Sequence, residues 1–243
     1  MTLAIVSDVH GNFNALEAVV EDLQRRGVER VVHGGDLAVA GCQGPECVDL
    51  IRELGWPGIV GNTDELLWRS EEHAAQLERA PKLAPLLAML FDTYGPASRE
   101  QLGDERIEWL RELPAEHRED ELELALIHAS PGDLWRAPAP DTDDEELLRI
   151  YEPLEAAIAV YGHIHRPYVR RVDGLTVVNS GSVGNPFDED PRAGYALFKD
   201  GEPEIVRVEY DIEREVHALL RSRYPDAERI AQMRRTGAFV PIA

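Results

Sequence analysis

Five short polar clusters, each placed just after an apolar run, constrain the fold of this chain most strongly. The apolar runs lie at residues 3–7, 30–33, 57–60, 122–127 and 157–161, and each predicts a buried β-strand. The clusters that follow them are Asp8-Val9-His10, Gly35-Asp36, Gly61-Asn62, His128 and Gly162-His163-Ile164-His165. In an open α/β sheet, ligands bind beyond the carboxyl ends of the strands. We therefore expect the five loops to converge on one site.

The clusters contain seven side chains of the kinds that bind metal ions: two aspartates, one asparagine and four histidines. Nitrogen and oxygen ligands without a thiolate suit Mn, Fe, Co, Ni or Zn better than a soft metal. A catalytic zinc ion takes about three protein ligands and a water molecule, so seven are too many for one ion. A carboxylate that bridges two ions accounts for the number, and Asp36 is the candidate bridge.

The spacing within two clusters predicts how their side chains are directed. Side chains two residues apart on an extended backbone point to the same face. We therefore expect Asp8 with His10, and His163 with His165, to hold one centre together. Glycine precedes the ligand in three of the clusters and allows tight turns and close backbone approach.

The order of the clusters resembles the calcineurin-like metallophosphoesterases, whose pattern is Asp-x-His, Gly-Asp, Gly-Asn, a lone His and Gly-His-x-His. The match runs from Asp8 to His165. The later segment Asn179-Ser180-Gly181-Ser182-Val183-Gly184 is similar to the Asn-Pro-Gly-Ser-Val of the small bacterial and archaeal phosphodiesterase-like branch. The resemblance implies a four-layer α/β/β/α fold, in which two mixed sheets are flanked by helices.

The resemblance also assigns the ligands to two divalent transition metal ions, with Mn favoured over Fe, Ni or Zn. The first ion would be held by Asp8, His10, Asp36 and His165, and the second by Asp36, Asn62, His128 and His163. Two ions about 3.5–4 Å apart would bind the phosphoryl oxygens, and a bridging hydroxide would attack phosphorus in line. Asp36 and Asn62 are thus the candidate catalytic residues, since Asn62 would place its amide near the developing charge.

One departure from the family pattern bears on the mechanism. Many members place a histidine after Gly-Asn that is thought to protonate the leaving group, whereas this chain has Thr63-Asp64. General acid help is worth about 10²- to 10⁴-fold, and it matters most when the leaving group is a basic alkoxide. We therefore predict a preference for activated or aryl leaving groups, and for phosphodiesters over unactivated monoesters. Asp64 would substitute through a water molecule if its pKa were raised.

Four residues outside the ligand set are candidates for contact with the substrate: Thr63, Asp64, Trp135 and Ser180. Trp135 lies in a loop that carries glycine and proline, where it would either stack on an aryl or nucleobase group or pack against the protein. Consecutive backbone amides form concavities that bind anions. The stretch from Ser180 to Ser182 is therefore a candidate phosphate site.

The chain has 243 residues, a length that fits one α/β domain. A helix from about Phe13 to Arg26, with Asn12 as its N-cap, completes a βαβ unit between the first two strands. A helical insert at about residues 64–113 is either a packing layer or a cap that shapes the substrate site. Later strands are predicted at residues 168–172, 175–179, 195–198 and 204–210, with Asp-Gly turns between the members of each pair, and two helical stretches follow.

The formal net charge of −21 argues against a nucleic-acid polymer as the main partner, because binding one relies on Lys and Arg. No apolar stretch approaches the roughly 18 residues that suggest a membrane span. The N-terminus has neither a basic region nor a cleavage signal, which predicts a cytoplasmic protein. Cys42 and Cys47 are too few for a disulfide framework and are expected to be reduced. The expected partner is a small phosphoester substrate.

The leading hypothesis is a two-metal phosphodiesterase. One alternative is a phosphomonoesterase or a dinucleoside polyphosphate hydrolase, an activity that the resemblance also allows. A second is a catalytically idle relative that uses the metal-organised surface to bind another protein. All seven ligand positions carry competent side chains, which favours an enzyme, because a pure binding module needs no complete set.

Overall fold

Two mixed β-sheets pack face to face in the computed structural model, which describes residues 1–242. The strands are β1 (Thr2–Val6), β2 (Arg30–His33), β3 (Glu116–Glu119), β4 (Leu124–Ile127), β5 (Ile158–Tyr161), β6 (Tyr168–Val172), β7 (Leu175–Asn179), β8 (Ala193–Lys199) and β9 (Glu202–Val208). The first sheet has the order β2-β1-β8-β9, and the second has the order β3-β4-β5-β7-β6. Parallel pairing joins β1 to β2 and β4 to β5 to β7, and the other pairs are antiparallel.

Helices cover the outer faces of both sheets. They are α1 (Phe13–Arg26), α2 (Gly44–Leu54), α3 (Asn62–Glu65), α4 (Glu72–Arg79), α5 (Ala84–Ala88), α6 (Gly95–Arg111), α7 (Asp144–Tyr151), α8 (Ile212–Arg221) and α9 (Ala227–Thr236). Buried residues of α1, α2, α6, α8 and α9 share one core with the first sheet, whereas α7 packs on the second. The predicted four-layer α/β/β/α fold is therefore confirmed.

Strand β1 shows why the apolar runs predict this architecture. Leu3 and Ile5 lie in the core between the sheets, whereas Ala4 and Val6 lie in the core beneath the helices. A strand that is buried on both faces needs apolar residues at every position. Its sequence is therefore a continuous apolar run that ends where the polar loop begins.

Several local predictions are confirmed in detail. Helix α1 begins after Asn12, whose Oδ1 accepts a hydrogen bond from the Ala15 amide at 3.0 Å. It ends at Gly27, which adopts a left-handed conformation with φ of 63°. The Asp-Gly pairs at residues 173–174 and 200–201 connect β6 to β7 and β8 to β9. These features depend on short-range chemistry, which the sequence displays directly.

Two strand predictions need correction. Residues 57–60 do not form a strand: only one parallel bridge joins Gly58 to His33. Beyond this bridge the Val60 amide donates to the Pro114 carbonyl, at 2.9 Å, and not to β2, so the segment does not extend the sheet. Strand β3, with the sequence Glu-His-Arg-Glu, was not predicted because an edge strand paired only with β4 carries no apolar pattern.

The predicted helical insert is a chain of short helices, α3 to α6, that includes a π-helical turn at Met89–Tyr94 and a break at Gly103. Phe91, Tyr94 and Leu102 are buried in the core beneath the first sheet, so this part of the insert is a packing layer. None of the described helices is both long and apolar enough to cross a membrane. Both cysteines are free thiols.

Candidate metal centre

The structure brings the seven predicted ligands together at one edge of the two sheets. Asp8 and His10 follow β1, Asp36 follows β2, Asn62 begins α3, His128 follows β4, and His163 and His165 follow β5. Six of the seven are buried, and His163 is partly exposed. The site therefore draws on both sheets, at the carboxyl ends of parallel strands, where ligands collect in α/β proteins.

Asp8, His10 and His165 form the first group of facing ligand atoms. The Nε2 atom of His165 lies 3.1 Å from Asp8 Oδ1 and 3.1 Å from His10 Nε2. The Nδ1 atoms of the two rings lie 2.8 Å from the Val39 carbonyl and 2.5 Å from the Asn185 carbonyl. A carbonyl only accepts hydrogen bonds, so Nδ1 carries the proton and Nε2 of a neutral ring presents a lone pair. Only a shared proton or a cation satisfies lone pairs that face each other in this way.

Asn62, His128 and His163 form the second group. Asn62 Oδ1 lies 2.9 Å from His128 Nε2 and 2.8 Å from His163 Nδ1. The Nδ1 atom of His128 faces the Gly34 carbonyl at 2.8 Å, which directs the Nε2 lone pair toward Asn62. Orientation of a ligating histidine by a backbone carbonyl is typical of metal sites. The donor set fits a divalent ion here as well.

Asp36 lies between the two groups. Its Oδ2 atom is 3.7 Å from His10 Nε2 and 3.5 Å from His128 Nε2. Its Oδ1 atom accepts a hydrogen bond from the Thr63 amide at 2.8 Å, which fixes the orientation of the carboxylate. One carboxylate oxygen therefore faces both groups.

The spacing argument for His163 and His165 was wrong. The two residues have φ values of 64° and 57°, so the segment is left-handed and not extended. His163 joins Asn62, whereas His165 joins Asp8. Asp8 and His10, also expected on an extended backbone, have φ values of 57° and 49° and yet belong to one group. The premise of an extended chain therefore fails for both pairs, but only His163 and His165 are separated.

Left-handed backbone is concentrated at this site. Asp8, His10 and Asp36 have φ values of 57°, 49° and 56°. Positive φ is uncommon for residues that carry a Cβ atom, and His163 and His165 share this feature. Each such residue costs about 1–2 kcal/mol. Inter-loop hydrogen bonds hold the conformation: the Asp8 amide donates to the Gly35 carbonyl and the His10 amide to the Asp36 carbonyl, both at 3.0 Å. Strain that the surroundings maintain in this way is common at functional sites.

Two glycines allow the loops to approach the carboxylates. A Cβ atom at Gly61 would lie 2.1 Å from Asp36 Oδ1, and one at Gly162 would lie 2.3 Å from Asp8 Oδ2. Both distances are far shorter than any non-bonded contact. Only glycine fits at these positions while the aspartates keep their places.

The ionisation of the site bears on metal binding. Burial, assisted by His128, lowers the pKa of His163 to about 4, so this ring is neutral at pH 7. Burial opposes protonation of His10 as well, but the hydrogen bond with Asp8 and the charge of Asp36 raise the pKa of His10 overall. A metal ligand must be deprotonated, so binding of an ion here displaces protons.

Thr63 and Asp64 shape the Asp36 loop. Asp64 is fully buried, and its carboxylate accepts backbone hydrogen bonds from Asp36 at 2.7 Å, Leu37 at 3.0 Å and Gly61 at 3.0 Å. Burial and the charge of Asp36 raise the pKa of Asp64 to about 6. Asp64 therefore has the raised pKa that a substitute general acid needs, but its oxygens are directed at backbone amides and not at solvent. Contact with a substrate is therefore not what its geometry provides.

The other two candidates are also engaged within the protein. Trp135 stacks on Phe91, with ring centroids 5.2 Å apart, and its indole donates to Glu65 at 3.1 Å. Ser180 is fully buried, and its amide donates to the Tyr161 carbonyl at 2.9 Å. The Gly181 amide donates to Asn179 Oδ1 at 2.9 Å. These contacts stabilise the loops, and a substrate contact of Trp135 or Ser180 stays a prediction.

Sequence reasoning missed a buried cation beneath the site. Arg234, on α9, is fully buried and donates hydrogen bonds to the carbonyls of His10 at 2.9 Å, Ala40 at 3.1 Å and Gly184. Nothing in its local sequence distinguishes it from Arg235 beside it. Ser182, whose Oγ donates to the Asp8 carbonyl at 2.7 Å, lies in the segment that the resemblance had marked.

Comparison with known proteins identifies the family of this chain. The calcineurin-like phosphoesterase superfamily domain matches residues 1–200. An uncharacterized protein of Methanocaldococcus jannaschii is 28% identical over 249 aligned positions, which cover 92% of this chain and 94% of that protein. A symmetrical bis(5'-nucleosyl)-tetraphosphatase of Chromohalobacter salexigens is 26% identical over 183 positions, which cover 72% of this chain and 62% of that protein.

Solved structures show the same architecture. A metallophosphoesterase from Sphaerobacter thermophilus superposes with a TM-score of 0.79 at 26% identity, covering 98% of this chain and all of that one. A hypothetical protein from Pyrococcus horikoshii gives a TM-score of 0.80 at 23% identity, over 98% of this chain and 99% of that one, and shares the fold. The chain therefore belongs to the calcineurin-like phosphoesterases, a family of hydrolases that act on phosphoester bonds with the help of divalent metal ions.

Proposed function

We propose that this chain is a two-metal phosphodiesterase in which Asp36 bridges the ions. The observation that carries the proposal is the position of Asp36 Oδ2, 3.7 Å from His10 Nε2 in one group and 3.5 Å from His128 Nε2 in the other. Asp8, His10, Asp36 and His165 would hold the first ion, and Asp36, Asn62, His128 and His163 the second. Nitrogen and oxygen ligands fit Mn²⁺, our first choice, as well as Fe, Ni or Zn.

Divalent ions bound here would polarise the phosphoryl oxygens and generate a hydroxide nucleophile near neutral pH. The chain contributes the positions of the ligands and a buried surrounding, in which electrostatic interactions are stronger than in water. Asn62 would also have a second role. Because its Oδ1 is directed at His128 and His163, its Nδ2 is the atom left to donate toward a phosphoryl oxygen that gains charge.

The residues after Asn62 support a preference for good leaving groups. Asp64 is buried and accepts backbone hydrogen bonds from the Asp36 loop, and the Thr63 hydroxyl is buried without a hydrogen-bond partner, so neither is placed to protonate a departing alkoxide. An aryl oxide needs less of the help that a general acid provides. Aryl phosphodiesters are therefore the expected artificial substrates. The tetraphosphatase relative makes dinucleoside polyphosphates a second candidate class.

The test compares bis-p-nitrophenyl phosphate with p-nitrophenyl phosphate, using protein stripped with a chelator and reloaded with Mn²⁺, Ni²⁺, Zn²⁺ or Mg²⁺ singly. We expect metal-dependent turnover that favours the diester. Faster monoester turnover would favour a phosphatase. Absence of turnover with every metal would favour a protein-binding role.

Asp36→Asn tests the bridge itself. We expect turnover to fall by about 10³-fold or more, since metal-ion stabilisation of charge is worth several kcal/mol, and we expect both ions to bind more weakly in calorimetric titration. Asp200→Asn, in an exposed hairpin turn, is the matched control and should behave as the parent does. Full activity in Asp36→Asn would refute the mechanism.

A further inference from the structure

A groove of about 560 Å³ adjoins the metal centre at His163. Four segments and Phe187 form it: the segments are residues 82–86 of the helical insert, 137–140 of the loop before α7, 163–166 beside the ligands, and 239–242 near the C-terminus. The volume lies in the range of small-molecule sites. The groove therefore offers space beside His163 for a group attached to a phosphate at the metal centre.

The chemistry of the groove differs from that of the rest of the surface. Its charged lining residues are Lys82 and Arg166, and among the described residues no aspartate or glutamate lines it. The chain as a whole carries 46 acidic and 25 basic residues, so a lining without acids favours an anionic ligand. The remaining lining is largely apolar, with residues such as Leu83, Leu86 and Phe187.

The two cations are available to a ligand. Arg166 donates through Nε to the Phe187 carbonyl at 2.9 Å, which leaves its other N–H groups free of that bond. The chain has two lysines, and the other one, Lys199, is paired with Glu204 at 2.8 Å on an exposed hairpin. Within residues 1–242, Lys82 has no such carboxylate partner. Charge of this kind beside an apolar lining suits a ligand that carries both features.

A row of aromatic rings connects the metal centre to the groove. The ring of His165 stacks on Phe187, with centroids 4.6 Å apart and planes at 17°, and Phe187 meets Phe239 edge to face at 5.6 Å. Phe239 is 41% exposed and Leu83 is 50% exposed, so both present apolar surface to the groove. A patch of exposed apolar side chains that is rimmed by polar groups often marks a ligand-binding groove.

We propose that this groove binds an aromatic group of the phosphoester substrate, with its ring against Phe239 and Leu83, while Lys82 and Arg166 hold a second anionic group on the same molecule. The inference rests on the proposed function and narrows its substrate class. The substrate is an organic phosphoester that carries an aromatic ring and an additional negative charge. Phe239 and Leu83 are specificity-determining residues, since they touch the part of the substrate that does not react.

The aromatic contact is tested by binding, which needs no turnover. Calorimetric titration of Mn²⁺-loaded protein with phenylphosphonate and with methylphosphonate should show about ten-fold tighter binding of the phenyl compound, a difference typical of aromatic stacking. Phe239→Ala and Leu83→Ala should each remove most of this preference. The control is Leu220→Ala, a leucine that is 45% exposed on α8, which should leave the preference unchanged. Equal affinity for the two ligands, or a preference that survives both groove substitutions, would overturn the inference.

The anionic contact is tested with 4-carboxyphenylphosphonate, which adds one negative charge to phenylphosphonate. We expect the added carboxylate to tighten binding by about five-fold, as for an exposed ion pair, and Lys82→Gln and Arg166→Gln each to reduce that gain. Lys199→Gln should keep it. No gain in the parent protein, or an equal gain in all variants, would remove the two cations from the proposal.

Failure of the proposed function would be recognised separately. Turnover of bis-p-nitrophenyl phosphate is measured on the same preparations. If turnover is absent while the phenyl preference is present and sensitive to Phe239→Ala, the groove stands and the phosphodiesterase proposal falls. If turnover is present without a phenyl preference, the reverse conclusion holds.

Discussion

Arg234→Met should destabilise the protein strongly, because the arginine is a buried cation that bonds to three separate loops. Its guanidinium donates to the carbonyls of His10, Ala40 and Gly184, which lie in the loops after β1, β2 and β7. Methionine approximates the length of the aliphatic stem but donates no hydrogen bond. The substitution therefore leaves the carbonyls of His10 and Ala40 without this partner, whereas the Gly184 carbonyl keeps a hydrogen bond from Asn12 Nδ2 at 3.0 Å.

The structure allows an estimate of the loss. A buried acceptor that loses its partner costs about 1–3 kcal/mol, and some water will enter, so two acceptors give about 2–4 kcal/mol. Burial raises the pKa of the neighbouring Glu215 while the charge of Arg234 opposes that rise, so Glu215 would become neutral more readily in the variant. For a chain of this size, each kcal/mol lowers Tm by about 2–4 °C. We expect a fall of about 10 °C.

The assay is urea and thermal unfolding of metal-free protein, followed by the fluorescence of the four tryptophans. Arg235→Met is the matched control, since Arg235 is the next residue of α9 and forms an exposed ion pair with Glu213 at 2.7 Å. Exposed pairs contribute little, so its transition should nearly coincide with that of the parent. Similar midpoints for the two variants would refute the reasoning. Weaker Mn²⁺ binding by Arg234→Met is the second expected result, because the His10 loop loses its anchor.

Two further predictions concern the packing of the loops and a buried histidine. Gly61→Ala should strongly lower the metal content measured by elemental analysis, because the new Cβ atom would lie 2.1 Å from Asp36 Oδ1. The control is Gly27→Ala, at a left-handed helix end with open space around it, which should cost about 1 kcal/mol of stability and keep its metal. Equal metal contents in the two variants would contradict the argument. Burial, with a smaller effect of His117, lowers the pKa of His33 to about 3, so the unfolded chain binds a proton that the folded one excludes. The free energy of unfolding should therefore fall by up to about 1.4 kcal/mol per pH unit from about pH 6.5 toward pH 3. His33→Leu should reduce that slope in urea unfolding at several pH values, and parallel slopes would exclude the explanation.

Prediction from sequence succeeded where the signal is short-range. The N-cap at Asn12, the helix that it begins and the left-handed Gly27 follow from side chains within one or two turns of one another. The Asp-Gly hairpins have the same character. Buried strands such as β1 were found because burial on both faces demands an unbroken apolar run.

Prediction failed where a distant segment decides the conformation. The polar strand β3 exists because β4 offers it an edge, and residues 57–60 leave the sheet because of a bond to Pro114. Trp135 was expected either at a ligand or in packing, and its stacking on Phe91 depends on a residue that is remote in the chain. His163 and His165 were expected to hold one centre together, but His163 lies beside Asn62 and His165 beside Asp8.

By itself, the sequence determined the family and the candidate site: seven nitrogen and oxygen side chains proposed as ligands, each placed just after a predicted strand, in the order of a metallophosphoesterase. The tertiary structure alone decided which ligands face one another, which arginine is buried beneath them and which surfaces form the groove. The reason is physical. Strand burial and turn formation depend on residues that are close in the chain. The environment of Arg234 or Phe239 depends on loops that are remote in the chain.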